Sequence, residues 1–252
     1  MNLVILTEAD LCADNLYRLT DSRAEHIHRI LKLKAGDKLS AGLVNGPSAT
    51  AEIRQVDRTA VELYCDFKNS RPVNLQKPEI DIICALPRPQ TLKKVLQTSA
   101  SMAVRKLYLI RANRVEKSYF DSPLLEKQNY TRFLIEGLSQ GGFTRLPEVS
   151  IHHRFRPFFE DLLPEIESAQ KDNPLCLCPH PEVPKQLCDS LKPLPSRVIA
   201  SIGPEGGWVP FELELMQTQG FQLIRMGPWI LRVENALVAV IAQVFTASGR
   251  NM

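Results

Sequence analysis

The chain has 252 residues, 44% of them hydrophobic and 23% charged, with a formal net charge of +3. That length suits one large or two small domains, and that balance is the composition of a globular protein able to bury a core without metals or disulfides. So small a net charge does not by itself point to a nucleic acid or an acidic membrane surface; local clusters must be read instead.

Residues 1–70 read mostly as β. Met1 to Glu8 lacks a basic region and a long apolar stretch, so no signal peptide is expected there. Thr20-Asp21 with Glu25 predicts a short helix running to about Lys32. Lys34-Ala35-Gly36-Asp37 reads as a turn. Leu39–Val44 and Ala49–Val56 flank Asn45-Gly46-Pro47 as a hairpin would, and Asp57-Arg58 leads into Ala60–Phe67. Short strands with tight turns predict a small barrel over residues 1–70. Asn69–Pro78 is polar and reads as a linker.

From residue 78 to 252 the period changes. Strands are expected at Ile80–Leu86, Lys106–Ile110, Leu175–Cys178, Val198–Ile202 and Phe221–Met226. Helices are expected at Gln90–Val104, Ser122–Leu138, Phe155–Gln170, Pro210–Gln219 and Asn235–Ser248. Strands alternating with helices predict an α/β domain with a parallel sheet. Such sheets take ligands beyond the C-terminal ends of their strands. The longest apolar run near the C-terminus, Ala236–Ala242, is far short of the ~20 residues of a membrane span, so no membrane partner is expected.

Two stretches fall at those strand ends: Ile202-Gly203-Pro204-Glu205-Gly206-Gly207 and Met226-Gly227-Pro228-Trp229-Ile230-Leu231-Arg232-Val233-Glu234-Asn235-Ala236. Nearly bare of side chains, they offer a ligand main-chain N–H and C=O groups at close range. Neither is a P-loop, for no Gly-Lys-Ser/Thr follows, and G-x-G-x-x-G is absent from the chain.

These two motifs, in this order, resemble the RsmE family of 16S rRNA uridine-N3 methyltransferases in the SPOUT (α/β-knot) superfamily. His180-Pro181 stands where that family ends an earlier strand with the same pair. The helix around His26-Ile27-His28-Arg29-Ile30-Leu31 and the turn at Gly36-Asp37 resemble its PUA-like barrel. The resemblance covers essentially the whole chain. It implies a PUA-like, RNA-binding N-terminal β-barrel at residues 1–70. It also implies a trefoil-knotted methyltransferase domain at 78–252, an exception to the rule against threaded chains. S-adenosyl-L-methionine would be held by Cys178, His180 and Pro181, by Ile202, Gly203, Pro204, Glu205, Gly206 and Gly207, and by Met226, Gly227, Leu231, Arg232, Asn235 and Ala236. The implied partners are the 16S rRNA of the small ribosomal subunit and a second copy of the chain, with no role for DNA.

Three departures stand out. Asn235 replaces the usual Thr, and both can cap a helix. Ser139 takes the place of the family's Glu in Ser139-Gln140-Gly141-Gly142-Phe143-Thr144-Arg145. This bears on RNA docking or catalysis, and it raises the alternative of a catalytically impaired, RNA-binding assembly factor. Ser101-Met102-Ala103-Val104 stands where the family more often has Glu-Leu-Gly-Val.

Uracil N3 must lose a proton before it can attack a methyl group, so alignment, proton removal and charge stabilisation are the tasks. Arg232 is the candidate for orienting the base or stabilising charge; a pairing with Glu205 or Glu234 is the alternative. Glu234 is a general-base candidate, with a structural role beside the helix start as the alternative. Phe143 or Trp229 can stack on the base, or serve as apolar filler.

Between Arg88 and Lys117 eight basic residues meet one acid, Glu116, a local balance of +7. Arg88, Lys93, Lys94, Arg114 and Arg145 are candidate RNA contacts, with Arg29 and Lys32 extending them on the small domain; a solvated helix face is the bland alternative. Cys176-x-Cys178-x-His180 with Cys188 matches no common zinc spacing, so no metal is expected. The six cysteines show no framework spacing, which points to a reducing cytoplasm.

Overall fold

The structure, a computed structural model, describes residues 2–68, 70, 78–170, 173–184 and 196–247. Most of the expected linker Asn69–Pro78, Cys188 and Ser248 lie outside these residues. The chain divides into two compact units, Met1–Leu75 with Ile135–Leu146 and Gln76–Leu134 with Pro147–Met252.

The first unit holds β1 (Val4–Leu6), β2 (Leu11–Ala13), β3 (Leu16–Leu19), β4 (Lys38–Leu43), β5 (Ser48–Val56) and β6 (Val61–Tyr64) in one sheet of order β1-β4-β5-β6-β3-β2. The β1–β4 pair is parallel and the rest are antiparallel. Alternate residues Ile53, Val61, Leu63, Leu19 and Tyr17 turn inward onto Leu6 and Ile27, the period-2 burial of a half-solvated sheet. Asp21 caps α1 (Ser22–Glu25) by accepting from Arg23 N at 2.9 Å, as expected. The helix widens to a π turn over His26–Leu31 and stops at Lys32, which is left-handed at φ 54°. Arg23 is clamped by Asp10 and Asp21, each at 2.7 Å.

Residues 135–146 belong to this unit, which the sequence did not reveal. Ser139 Oγ donates to Leu3 O at 2.6 Å, while Asn2 N and Leu3 N donate to Ser139 O. Thr144 Oγ1 donates to Gly46 O at 2.6 Å, and a Cβ on Gly42 would stand 2.5 Å from the Thr144 methyl. Gly42 is therefore glycine because Thr144 occupies that space.

The second unit holds a six-stranded sheet of order β12-β10-β11-β7-β8-β9, parallel throughout. Its strands are β7 (Glu79–Ala85), β8 (Lys106–Ile110), β9 (Glu148–His152), β10 (Leu175–Pro179), β11 (Arg197–Ile202) and β12 (Gln222–Ile224). All of β11 is buried, which is why it reads as an apolar run after Arg197, interrupted only by Ser201. The edge strand β9 alternates Glu148, Ser150 and His152 with Val149 and Ile151, and no full strand was read there. The helices are α2 (Pro89–Ser101), α3 (Lys127–Gly141, whose residues from Ile135 belong to the first unit), α4 (Phe155–Pro157), α5 (Leu163–Gln170), α6 (Pro210–Thr218) and α7 (Val233–Ala247). The expected helix at Ser122 starts five residues later, because Pro123–Leu125 forms a 3-10 turn first. The expected helix Phe155–Gln170 has a π turn at Phe158–Leu162 between α4 and α5.

α2 presents Leu92, Val95, Leu96 and Ala100 as a buried stripe, and α7 presents Leu237, Val240, Ile241 and Val244; the two helices pack together. At the N-terminal edge of the sheet, fully buried Asp81 receives Arg105 Nε at 2.8 Å and Arg197 Nη1 at 3.1 Å. Burial, with Asp81 beside it, pushes the Tyr108 phenol up to about 12.

Candidate functional site

β12, β10 and β11 are adjacent and parallel, so the loops leaving their C-terminal ends leave side by side. These loops carry His180-Pro181, Gly203 to Gly207, and Met226 to Ala236. Main-chain bonds set them: His180 N donates to Ile224 O at 2.8 Å, and Gly207 N to Pro204 O at 2.8 Å. Gln243 of α7 donates to Met226 O at 2.7 Å. The three expected cofactor segments therefore meet at one sheet edge.

The glycines there are sites of close approach. A Cβ on Gly203 would stand 3.2 Å from Trp208 Nε1, and one on Gly206 3.0 Å from Arg114 Cδ. A Cβ on Gly227 would meet the Trp229 ring at 2.4 Å. Arg114 Nη1 donates to Gly206 O. Arg88 N approaches Glu205 Oε1 at 3.4 Å. Burial pushes the Cys178 thiol up to about 12, so this residue offers the loop an apolar sulfur and not a thiolate.

Two buried residues of this edge went unread as site components. Trp208 is walled by Phe155, ring centroids 5.8 Å apart, and backs the glycine turn. Buried Glu212 accepts from Val209 N at 3.0 Å and from Asn113 N at 2.7 Å, tying α6 to the loop after β8. The sequence signal for Glu212 is an acid two residues after Pro210, in the first turn of α6.

Glu234 pairs with Lys94 at 3.2 Å. The bond from its own N–H, helped by Lys94, holds its carboxyl below the usual carboxylate range. Arg232 is exposed, and among the described residues its side chain makes no hydrogen bond or ion pair, so it pairs with neither Glu205 nor Glu234. Asn235 lies inside the first turn of α7, its N–H bonded to Arg232 O, and is not the cap expected of it. Trp229 is 66% exposed, which removes the filler reading.

The basic window does not form one face. Arg105 and Lys106 sit at the N-terminal end of β8, paired with Asp81 and Glu148. Arg111 and Arg114 follow its C-terminal end, five strand residues or ~17 Å away. Lys93 lies 5.7 Å over the Phe133 ring, and Arg88 Nε bonds Thr91. In the first unit, Arg29 pairs with Glu25 at 2.7 Å, Lys32 is exposed and Arg145 is half-buried. Among the described residues no three His, Cys, Asp or Glu side chains gather as metal ligands. Cys176 instead points its thiol at Glu167, 3.7 Å away.

A family profile described as an RNA methyltransferase domain matches residues 75–245. The chain is similar to ribosomal RNA small subunit methyltransferase E of Treponema pallidum, 29% identical over 97% of this chain and 90% of that protein. Its likeness to ribosomal RNA small subunit methyltransferase E 1 of Borreliella burgdorferi is 28% identity over 98% of each. In fold it is similar to a putative methyltransferase from Legionella pneumophila solved with SAM, with TM-score 0.74, 22% identity, and coverage of 98% of this chain and 97% of that one. It is likewise similar to the small subunit methyltransferase E of Neisseria gonorrhoeae bound to S-adenosyl methionine, with TM-score 0.72, 19% identity and the same coverage.

Proposed function

The chain belongs to the RNA methyltransferase family, in its RsmE-type SPOUT branch, and from that premise we propose that it methylates N3 of a uridine in 16S rRNA, with S-adenosyl-L-methionine as donor. The observation that carries this is the meeting of three side-chain-poor loops at the ends of β12, β10 and β11. The residues present fit the donor. Gly203, Gly206 and Gly227 stand where any Cβ would crowd Trp208, Arg114 or Trp229, so main-chain atoms line the edge. The loops at Cys178–Pro181, Ile202–Gly207 and Met226–Ala236 would hold the donor through N–H and C=O groups. Bound, it supplies an activated methyl group on a sulfonium.

The protein's share of the chemistry is to present an unpaired base and to stabilise charge as N3 loses its proton. Arg232, exposed and without an ion-pair partner, supplies the cation. Glu234 serves α7: its bond to Lys94 joins α2 to α7 beside the loop that carries Arg232. A depressed carboxyl is also a poor proton acceptor.

The same reading includes a trefoil crossing in the second unit and a PUA-like barrel in the first. It is supported by β12 returning to pair with β10 while α7 packs back onto α2 and β11, and by the mixed parallel and antiparallel pairing of the first six-stranded sheet. It includes a homodimer, supported by an outward α7 face of Asn235, Val238, Ala242 and Thr246 without charge. The reading includes a cytoplasmic location, where ribosomal RNA is handled; separately, no described helix is long and apolar enough to cross a membrane. The impaired-factor alternative rested on Ser139 to Arg145, and the bonds of Ser139 and Thr144 give that stretch a structural task in the first unit.

The test is methyl transfer from labelled donor to purified small subunits, followed by nuclease digestion and mass spectrometry. N3-methyluridine in 16S rRNA is the expected product. Donor binding without transfer to any RNA would overturn the reading.

A further inference from the structure

Beyond the cofactor loops, the same sheet edge continues past β8 to β9, and the polar residues that follow β9 serve neither the core nor the donor site. His153, Arg154 and Arg156 leave the strand end exposed. The His153 ring lies 4.7 Å from Phe120. The Arg156 guanidinium lies 5.2 Å over the Phe211 ring and 3.1 Å from Glu160. Phe211, at the second position of α6, is 47% exposed. Arg154 makes no hydrogen bond or ion pair among the described residues. Between these polar residues, Phe155 turns inward and packs at a tilt against Trp208, which backs Gly203. The strip is thus fixed to the turn that would hold the donor.

An exposed ring with a guanidinium over it, flanked by a free cation and a second ring pair, suits an unpaired nucleotide. Bases stack on the rings and phosphates meet the arginines. A duplex hides its base faces and cannot use such rings.

We propose that the surface carrying His153, Arg154, Arg156 and Phe211 binds a single-stranded stretch of the substrate RNA, with a base stacked on Phe211 and a phosphate on Arg154. This rests on the reading that the protein methylates RNA, and it adds where the strand beside the target lies.

The test uses the full-length protein and a fluorescein-labelled single-stranded oligoribonucleotide of about 12 nucleotides, within single-strand site sizes, and the same oligomer annealed to its complement. Binding is read by anisotropy across a salt series. Phe211→Ala should weaken single-strand binding roughly 5- to 100-fold without changing the salt slope, and Phe211→Trp should restore it. Arg154→Ala should weaken binding and lower the log–log salt slope by about 0.7. Thermal unfolding and calorimetric donor binding should match wild type in all three variants. Unchanged single-strand affinity and slope in the variants would overturn the proposal. So would equal losses on the duplex, or a wild type that binds neither probe. Methyl transfer by the wild type is read separately: transfer with unaffected variants removes only this surface, whereas donor binding without transfer removes the functional reading.

Discussion

The indole of Trp208 lies against Gly203, leaving 3.2 Å between its Nε1 and the place a Cβ would take on Gly203. Alanine there asks the ring to give by a few tenths of an ångström; valine adds two methyls to a wall held by Phe155. Overpacking of this kind costs about 1–3 kcal/mol. Gly203→Val should therefore weaken donor binding by roughly 10-fold or more, Gly203→Ala by less, and Trp208→Phe should partly rescue the valine variant. Isothermal titration with S-adenosyl-L-methionine reads all three. Equal affinity in Gly203→Val would mean that this turn does not hold the donor.

Arg232 and Glu234 are two residues apart and have different surroundings. Arg232 is exposed, while Glu234 is tied to Lys94. Arg232→Ala should lower kcat by about 10²- to 10³-fold, as expected for a charge-stabilising group, with donor affinity unchanged. Glu234→Gln should lose far less than the roughly 10²- to 10⁴-fold of a missing general base, and at most about 1 kcal/mol of stability from the exposed pair. Single-turnover rates with saturating donor decide. A larger loss in Glu234→Gln than in Arg232→Ala would reverse the roles.

The legible parts of this chain are those where local chemistry and tertiary role agree. β11 and β7 are buried on both faces, so their apolar runs announced them. The expected helix Pro210–Gln219 matches α6 because the proline start and the left-handed stop of Gly220 at φ 84° are local requirements. The three loops that meet at the ends of β12, β10 and β11 were legible because glycine and proline mark close backbone approach. Long-range tasks carried no local mark. Ser139 bonds Leu3 across 136 positions, and Glu212 reaches Asn113 across 99. The basic window counted charges that β8 then sends to opposite ends of the sheet.

Asp81 has no exposure and accepts from two guanidiniums, Arg105 and Arg197, the latter 1% exposed. Asp81→Asn keeps the shape and removes the charge that both cations face. Removing one partner of a buried ion pair costs up to about 3–5 kcal/mol, and here Glu79, 3.8 Å from Arg105, remains as a second carboxylate. A loss of that size in urea unfolding is expected, with donor affinity of the folded fraction unchanged, because the cluster sits at the opposite end of the strands. A loss under about 1 kcal/mol would show that the cluster is solvated in solution.

Ala103 closes α2 at φ 55°, a left-handed conformation where the resembled family more often has glycine. An L-residue pays about 1–2 kcal/mol there, and glycine gives back about 0.4–1 kcal/mol through the looser unfolded chain. Ala103→Gly should therefore raise stability by up to about 1 kcal/mol, the reverse of the usual result of adding a glycine. Denaturant midpoints at constant slope measure it. A destabilised variant would mean that the Ala103 methyl packs more than the left-handed turn costs.

His152 ends β9 with its Nε2 2.9 Å from Ser150 Oγ and its ring beside Phe158 and Tyr108. Burial, with His153 adjacent, moves its pKa below the ordinary value of 6.5. The folded state thus favours neutral imidazole, while the unfolded chain takes up its proton as pH falls through 6.5. Below that point the unfolded state binds more protons, so stability drops with acidification until the folded-state pKa is passed as well. Above it the two states are equally deprotonated and this contribution is flat. His152→Gln keeps an acceptor for Ser150 and removes the titration. Melting temperatures taken from about pH 7.5 to 5 should fall more steeply in the wild type than in the variant. Identical slopes would assign the acid sensitivity to other groups and place His152 in water, which would also loosen the strand end from which His153 and Arg154 project.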